Sequence, residues 1–329
     1  MVPSYVVSEN KFFPIHFAFN SLDNIYTYEK HSGHNMQIML SFTLAIVMIP
    51  VGFLAALVGI GGGTIIVPLL TLFFGLPIKE AVAISIVTVV AAGITGASRY
   101  LKQKITNIRL GLFLEMSTTL GAMLGAILAL SLPSFVLFLL LATVLIYVGL
   151  NQIYRGKKER EMIKHRAYEK IHEDTIAKTL NLSGKYWDAA ENAEIKYKVT
   201  NTLQGLFASI TAGLASGMLG IGGGVLKVPI MNEVMKIPVK VAVATSKFMM
   251  CLTASAAALV YINEGRVNLH LASATVLGIM MGELIGTRVM NRVHADKIKM
   301  LLGLVLAYFG YLMLAKGVYQ FSGVKLPGA

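Results

Sequence analysis

The sequence predicts an all-α polytopic membrane protein made of two homologous four-helix halves. Hydrophobic residues make up 55% of the 329 residues and charged residues only 14%, whereas about a quarter of a soluble domain is charged. Eight apolar segments are close to the roughly 20 residues that a helix needs to cross a bilayer. The motif GIGGG occurs twice, at 59–63 and 220–224, and it marks an internal repeat.

A polar and aromatic tail, residues 1–36, precedes the first apolar segment. The tail lacks the basic region and the small-residue cleavage site of a signal peptide. Met36 directly precedes the apolar segment, which makes it an alternative start of the natural protein. At the other end, residues 319–329 form a short C-terminal tail.

The long apolar segments divide into a first membrane half, residues 37–154, and a second, residues 199–318. The eight long segments are residues 37–58, 80–99, 109–131, 134–154, 199–219, 240–262, 269–290 and 298–316. Two shorter apolar segments, 64–76 and 225–236, follow the GIGGG motifs directly. At full length these two fall short of a complete helical span.

The two halves match without a gap when the chain is shifted by 161 residues, the distance from Gly59 to Gly220. The shift aligns residue types that shared hydrophobic composition would not place in register: Pro68 with Pro229, Pro77 with Pro238, Lys79 with Lys240, Tyr100 with Tyr261, and Asn107 with Asn268. Secondary transporters are commonly built from such repeats.

Loop charges favour halves of opposite orientation, because basic loops face the cytoplasm. In the first half the basic residues cluster between the second and third long segments, at Arg99, Lys102, Lys104 and Arg109. In the second half they cluster one loop later, at Arg288, Arg292, Lys297 and Lys299. Inverted repeats predict this alternation, and they require the glycine motif and its short helix to supply a fifth crossing in each half. A parallel arrangement of four spans each remains the alternative.

A soluble linker, residues 155–198, separates the halves. Its first part is charged and favours helix, and GKYWDAAENAEIKYKV alternates around a turn near Asn192 like a small hairpin. The basic residues at its membrane edge predict a cytoplasmic location. We expect Trp187 to pack within the hairpin.

The GIGGG motifs predict that the first helix of each half is broken inside the membrane. Non-helical chain at that depth is tolerated only where protein buries it or where it lines a cavity. We expect Pro68 and Pro229 in the first turn of each following helix, with 59–67 and 220–228 unwound. The free amides and the positive helix ends would then bind an anion. The glycines of this candidate site are Gly59, Gly61, Gly62, Gly63, Gly220, Gly222, Gly223 and Gly224.

Other glycines have a packing explanation. Gly121, Gly125, Gly282 and Gly286 follow the small-xxx-small spacing of closely packed membrane helices.

Charged and hydroxyl side chains near the motifs extend the candidate site. Lys227 and Lys247 are intramembrane lysines, which are usually functional or paired; Lys227 has Glu233 as a local alternative partner. The hydroxyl candidates for binding anion oxygens are Ser85, Thr88, Thr245 and Ser246, although such side chains also bond to their own helix.

Two carboxylates lie within spans. Glu115 has no local partner in the sequence and is the candidate for carrying a coupled proton, because a desolvated carboxyl binds protons more readily. Glu283 has Arg288 on the same helix and is expected to pair there.

The segments GIGGGTIIVPLLTLFFGLPIKEAVAISIVTV and GIGGGVLKVPIMNEVMKIPVKVAVATSKFMM, with GKYWD in the linker, resemble the sulfite exporter TauE/SafE family, also called the toluene-sulfonate uptake permeases. The resemblance covers about residues 40–316. It implies a secondary transporter that moves a small anion, such as sulfite, a sulfonate or a related organic anion, across the cytoplasmic membrane, coupled to protons. Because substrates vary within the family, the resemblance implies a class and no single substrate.

Other function classes lack their motifs. A membrane enzyme would need a pattern such as HExxH or GxSxG, and an ATP-driven pump would need GxxxxGK[ST]; none occurs. The predicted partners are a small anion and the lipid bilayer, with no nucleic acid, metal or cofactor, and the sequence allows a homo-oligomer. A cation- or sodium-coupled carrier or channel remains the alternative, against which a mid-membrane Lys247 argues.

Overall fold

Eight helices of the computed structural model are long and apolar enough to cross a membrane, among the residues that the structure describes. Those residues are 34–59, 61–164, 168, 171–188, 192–290 and 296–326. The helices confirm the predicted all-α polytopic membrane protein. The tail before residue 34 and Arg292 of the last basic loop lie outside the described residues.

The first half contains one short and four long helices within the described residues. They are α1, His34–Val58; α2, Gly63–Leu72; α3, Ile78–Lys102; α4, Ile108–Ser131; and α5, Ser134–Lys164. Asn107 is the N-cap of α4. Its side-chain oxygen accepts a hydrogen bond from the Leu110 amide at 3.0 Å, which satisfies one of the free amides at the helix start.

The linker contains a short helix and a two-stranded hairpin. α6 spans Thr175–Thr179, β1 spans Gly184–Asp188 and β2 spans Ala193–Tyr197. The strands are antiparallel, with Gly184 opposite Tyr197.

The side chain of Trp187 is 55% exposed, so the expectation that it packs within the hairpin was wrong. Alternation along β1 turns Tyr186 and Asp188 inward and therefore turns Trp187 outward.

The second half repeats the helix order of the first. Its helices are α7, Thr202–Leu219; α8, Gly224–Pro229, which continues into a π-helical turn, Ile230–Val234; α9, Val239–Asn263; α10, Leu269–Met290; and α11, Asp296–Ser322. α9 begins and ends 161 residues after α3, so the repeat seen in the sequence extends to the helix boundaries.

Each half packs mainly against the other half. α1 lies on α10, α4 on α7, α5 on α11, and α3 crosses α9 in the centre. The small-xxx-small glycines make these contacts, because a Cβ atom on Gly125 would lie 2.1 Å from the Leu214 carbonyl oxygen and one on Gly282 would lie 2.0 Å from that of Ile49. Their predicted packing role is confirmed.

α3 and α9 run in opposite directions. The Asn107 amide, just after α3, donates to Thr245 Oγ1 near the start of α9 at 3.0 Å. At the other end, Pro77 before α3 and Gly265 after α9 line the same pocket of about 380 Å³. The two ends of the central helix pair therefore lie at Asn107 and Thr245 and at Pro77 and Gly265.

Equivalent tyrosines hold the ends of α1 and α7. Tyr100 donates to the Ala56 carbonyl at 2.9 Å, and Tyr261 donates to the Gly217 carbonyl at 2.9 Å. Both donor positions and both acceptor positions are related by the same shift of 161 residues. The two halves therefore form the same local contact.

Candidate functional site

Each GIGGG motif separates a long helix from a short one. α1 ends at Val58 and α2 begins at Gly63, while α7 ends at Leu219 and α8 begins at Gly224. The glycines between them have φ angles of 70 to 80°: Gly59, Gly61, Gly62, Gly220, Gly222 and Gly223. Only glycine adopts this left-handed conformation without steric cost.

The non-helical segments are shorter than the sequence suggested. Helix resumes at Gly63 and Gly224, so Pro68 and Pro229 lie beyond the first turn rather than in it. The glycine N-caps start each helix early, and Pro229 is followed by the π-helical turn, where the normal i to i−4 ladder is interrupted.

The two breaks touch each other. A Cβ atom on Gly63 would lie 2.2 Å from the Gly220 carbonyl oxygen, and one on Gly224 would lie 2.4 Å from that of Gly59. No side chain fits at Gly63 or Gly224, so the motif needs glycine there for close approach as well as for its conformation.

Serines from the central helices bond to the breaks across the repeat. Ser85 of α3 donates to the Gly220 carbonyl at 2.8 Å, and Ser246 of α9 donates to the Gly59 carbonyl at 3.4 Å. The helix of one half thus holds the break of the other half. Both carbonyls already have hydrogen-bond donors.

The amides at the second break lack acceptors. Among the described residues, no hydrogen bond satisfies the N–H groups of Gly222, Gly223, Gly224 and Val225, although all four residues are buried. At the first break the hydroxyl of Thr64 is fully buried and has no partner either. A buried polar group left unpaired costs about 1–3 kcal/mol, so these groups are available to a ligand or to water.

One face of α9 lines the first break. Val243 and Met250 lie within contact distance of the positions of Gly59 and Gly61, and Ser246 lies between them. Lys247 is four residues after Val243 and three before Met250, which places it on the same stripe of the helix. The equivalent stripe of α3 contains Val82, Ser85 and Val89, and nearby Thr88 bonds to Thr275 at 2.7 Å.

Lys247 pairs with Glu283 of α10, and both side chains are fully buried. The expectation that Glu283 pairs with Arg288 was wrong, because the carboxylate turns into the protein while Arg288 is exposed. Glu283 Oε2 is buried and has no partner among the described residues.

Lys227 of α8 joins a second buried cluster. Its Nζ donates to Thr253 Oγ1 at 2.5 Å and lies 3.6 Å from Glu115 Oε2. Glu115 also accepts hydrogen bonds from the hydroxyls of Thr118, at 3.0 Å, and Thr119, at 2.7 Å. Glu115, rather than the exposed Glu233, neutralises Lys227.

The structure brings most of the predicted residues together, with one clear exception. Thr245 lies at the start of α9, where its hydroxyl accepts from the Asn107 amide, and so helps to hold the α3–α4 loop. Sequence reasoning missed Thr64, Thr253 and Thr275. Threonine is common in membrane helices, and only a buried hydroxyl without a partner distinguishes Thr64.

The linker covers one end of the central helix pair, the end that holds Asn107 and the start of α9. Asp188, at the end of β1, is 1% exposed and lies 2.6 Å from the ammonium of Lys240 in α9. Asn107 donates to the Leu182 carbonyl at 2.6 Å and to Tyr197 Oη at 2.9 Å. Burial raises the pKa of the Tyr197 hydroxyl to about 12, so Tyr197 stays protonated in this contact.

Asp174 ties the linker to the second half. Its carboxylate accepts hydrogen bonds from the Thr202 amide and hydroxyl, both at 2.6 Å, and from the Ala177 amide at 2.7 Å. Desolvation opposes ionisation, but these hydrogen bonds prevail and hold the pKa of Asp174 below its usual value. The linker is therefore fastened at both the start of α7 and the start of α9.

Comparison with known proteins identifies the family. The profile described as "Sulfite exporter TauE/SafE" matches residues 44–313. The protein named "Probable membrane transporter protein YunE" of Bacillus subtilis (strain 168) is 26% identical over 289 residues, which cover 85% of this chain and 100% of that protein. A protein named as a probable membrane transporter in Methanocaldococcus jannaschii is 26% identical over 286 residues, or 82% of this chain and 94% of that protein.

A plant protein shares a shorter region. "Sulfite exporter TauE/SafE family protein 2" of Arabidopsis thaliana is 31% identical over 128 residues, which cover 35% of this chain and 28% of that protein. No solved structure matches the chain. The profile match spans both membrane halves, including both breaks and the buried lysines. The chain is therefore a membrane transporter that belongs to the sulfite exporter TauE/SafE family.

Proposed function

We propose that this transporter moves a small oxyanion, such as sulfite, a sulfonate or a related organic anion, and that the anion binds to the free donors at the glycine breaks. The observation that carries the proposal is the set of buried groups at the breaks that have no partner among the described residues: four consecutive amides at the second break and the Thr64 hydroxyl at the first. All of them can donate hydrogen bonds, and short helices begin directly behind them. Donors at a helix start suit an oxyanion.

The proposed cycle is alternating access by two inverted halves in the cytoplasmic membrane. The opposite directions of α3 and α9 and the exchange of contacts between the halves support inversion. The basic residues near Lys102 lie at the same end of the central helix pair as the linker. This shared location supports a cytoplasmic linker. Transport, rather than catalysis, is the proposed activity, and proton coupling would require a buried carboxylate such as Glu115 or Glu283.

A cation- or sodium-coupled carrier is the second candidate, since unwound carbonyls can bind cations. The buried lysines argue less strongly against a cation carrier than the sequence suggested, because Lys247 and Lys227 are each neutralised by a glutamate. The hydrogen bonds favour an anion on a separate ground. The carbonyls of Gly59 and Gly220 already accept from serines, whereas the amides of the second break have no acceptor within the described part of the chain.

Thermal unfolding of the purified protein against a panel of ions tests the proposal. Sulfite, ethanesulfonate, sulfate, acetate and taurine would be compared with sodium and potassium at constant ionic strength. A ligand that binds only the folded state raises the unfolding temperature, so we expect stabilisation by one or more oxyanions and none by the cations. Stabilisation by cations alone would overturn the proposal.

Substitutions at the breaks supply the structural control. Gly63→Ala places a Cβ atom 2.2 Å from the Gly220 carbonyl oxygen, which forces the breaks apart, and Gly223→Leu adds a side chain at a left-handed position. We expect both variants to insert into the membrane and to lose anion stabilisation and transport. Gly323→Ala is the matched control for backbone strain, because Gly323 has a φ of 71° and no atom within 4 Å of its added Cβ.

A further inference from the structure

The two buried lysine–glutamate pairs differ in how completely the carboxylate is satisfied. Glu115 accepts hydrogen bonds from the hydroxyls of Thr118, Thr119 and Thr253 and lies 3.6 Å from the Lys227 ammonium. Both of its oxygens have donors. Adding a proton to Glu115 would force one of these donors to turn away.

Glu283 has a much sparser environment. Lys247 donates to Oε1, while Oε2 is buried without a hydrogen-bond partner among the described residues. A proton on Oε2 would displace no hydrogen bond. Of the two carboxylates, Glu283 is therefore the one that can change its protonation state without rearranging its neighbours.

The Lys247–Glu283 pair lies beside the first break, and Lys227 lies beside the second, where its Cε would be 3.1 Å from a Cβ atom on Gly223. Lys247 belongs to the stripe of α9 whose other members, Val243, Ser246 and Met250, meet the first glycine break. Glu283 lies against α1, where a Cβ atom on Gly52 would be 3.1 Å from its amide. The Lys247 side chain passes Gly96 of α3, where an added Cβ atom would lie 3.1 Å from Lys247 Cδ and 3.4 Å from Glu283 Oε2. Binding an anion at the break therefore requires the ammonium to turn away from Glu283.

We propose that Lys247 is the charge partner of the transported anion and that Glu283 takes up the coupled proton. Without a bound anion, the Lys247 ammonium donates its hydrogen bond to Glu283 Oε1. An anion oxygen replaces Glu283 Oε1 on that ammonium, and a proton from water on the open side binds to the released carboxylate. The ion pair is replaced by lysine, anion and neutral carboxylic acid, so the buried charge stays balanced. This avoids the cost of leaving a buried charge unpaired.

This inference rests on the proposed anion transport and adds its coupling. The titratable groups that the described residues place near Glu283 are Lys247 of α9 and Tyr100 of α3, which interacts with its charge. α1 contributes Gly52 and no charge at this point. On α10 itself, Arg288 is exposed. Lys247 is therefore the only cation that the described part of the protein pairs with Glu283.

The test measures the thermal stabilisation by ethanesulfonate between pH 5.5 and about pH 8, because a sulfonate keeps a single negative charge over this range. If one proton binds with each anion, the apparent affinity of the unchanged protein rises about tenfold for each unit that the pH falls. Glu283→Gln should bind the sulfonate tightly and with the same affinity at every pH. Glu115→Gln, the same substitution at the other buried carboxylate, should lower the stability because Lys227 loses its carboxylate, while sulfonate binding should still strengthen as the pH falls.

Lysine variants separate binding from folding. Lys247→Met should lose the stabilisation by ethanesulfonate, and Lys247→Met combined with Glu283→Gln should recover thermal stability without recovering sulfonate binding, because it removes both buried charges. Persistence of the pH dependence in Glu283→Gln, or its loss in Glu115→Gln, would overturn the inference. So would sulfonate binding by the unchanged protein that does not vary with pH, in which case anion transport itself would still stand. Absence of stabilisation by any anion of the panel would instead refute the proposed function.

Discussion

Thr64 is the side chain that most directly indicates a ligand site at the first break. It lies in the first turn of α2, is fully buried, and its hydroxyl has no partner among the described residues. On the same helix Thr71 is equally buried, but its hydroxyl donates to the Val67 carbonyl at 2.8 Å. The two threonines therefore differ in hydrogen bonding while sharing residue type, helix and burial.

Thr64→Val should weaken oxyanion binding while leaving the protein at least as stable. Valine has nearly the same shape, and it removes a hydroxyl whose desolvation costs about 1–3 kcal/mol. A hydrogen bond to a charged ligand contributes about 1.5–3 kcal/mol, so the affinity should fall by at least about tenfold. Titration of the stabilising anion by thermal unfolding measures both quantities.

Thr71→Val is the matched control for that variant. It should leave anion affinity unchanged, because the Thr71 hydroxyl is used within its own helix. Equal loss of affinity in both variants would show that the effect comes from helix packing and would remove Thr64 from the site.

Residue-level pairing shows where sequence reasoning stops. The lysines at 227 and 247 and the glutamates at 115 and 283 were recognisable as unusual because charged groups in membrane spans are rare. Their pairing was not, since the partners of Lys247 and Lys227 come from other helices and depend on how those helices are rotated. The local alternatives, Arg288 and Glu233, turned out to be exposed.

Among the elements, the linker hairpin interacts with the membrane helices in the most specific way. Asp188 is nearly fully buried and forms its ion pair with Lys240 of α9. On the outer side of the same hairpin, Lys185 and Glu194 form an exposed pair at 2.8 Å. Burial distinguishes these two ion pairs, and their energetic contributions should differ accordingly.

Lys240→Met should release the hairpin from α9. Removing one partner of a buried ion pair costs about 3–5 kcal/mol, and in this variant Asp188 stays buried without the Lys240 ammonium. We expect faster hydrogen exchange and faster proteolysis in the hairpin, with the unfolding temperature of the membrane helices changing less. Glu194→Gln removes an exposed pair worth at most about 1 kcal/mol and should leave both rates unchanged. A hairpin equally protected in Lys240→Met would show that the ion pair does not hold it.

Element existence was well predicted and element detail was not. Apolar length identified the eight long helices, because a membrane span leaves few alternatives. The early helix starts at Gly63 and Gly224 escaped prediction, since a left-handed glycine N-cap can precede a helix whose proline comes well after its first turn. The side of β1 that faces inward depends on docking to Lys240, which strand alternation alone does not reveal.

At the scale of the whole molecule, the orientation of the two halves is testable at equivalent exposed positions. Lys102 ends α3 and Asn263 ends α9, 161 residues later, and both side chains are exposed. Inverted halves place these positions on opposite sides of the membrane. The single native cysteine, Cys251, would first be replaced by alanine.

Lys102→Cys and Asn263→Cys should then react from opposite sides with a maleimide that does not cross membranes. In intact cells we expect labelling of Asn263→Cys only. Lys102 lies at the same end of the central helix pair as the basic loop and the linker, which is the end proposed to face the cytoplasm. Permeabilised cells provide the control, in which both positions should react. Labelling of both positions in intact cells, or of neither, would favour parallel halves.

The matching contacts of the two halves have a thermodynamic consequence. If the halves exchange roles, the Tyr100 and Tyr261 bonds and the two serine bonds to the breaks also exchange, so the two end states contain nearly the same interactions. We expect their free energies to be close and both states to be populated, a condition that a reversible carrier requires. Among the described residues the linker contacts only the end of the central helix pair that holds Asn107 and Lys240, and the two buried lysine–glutamate pairs have no counterpart in the other half. These are the features that make the two populations unequal.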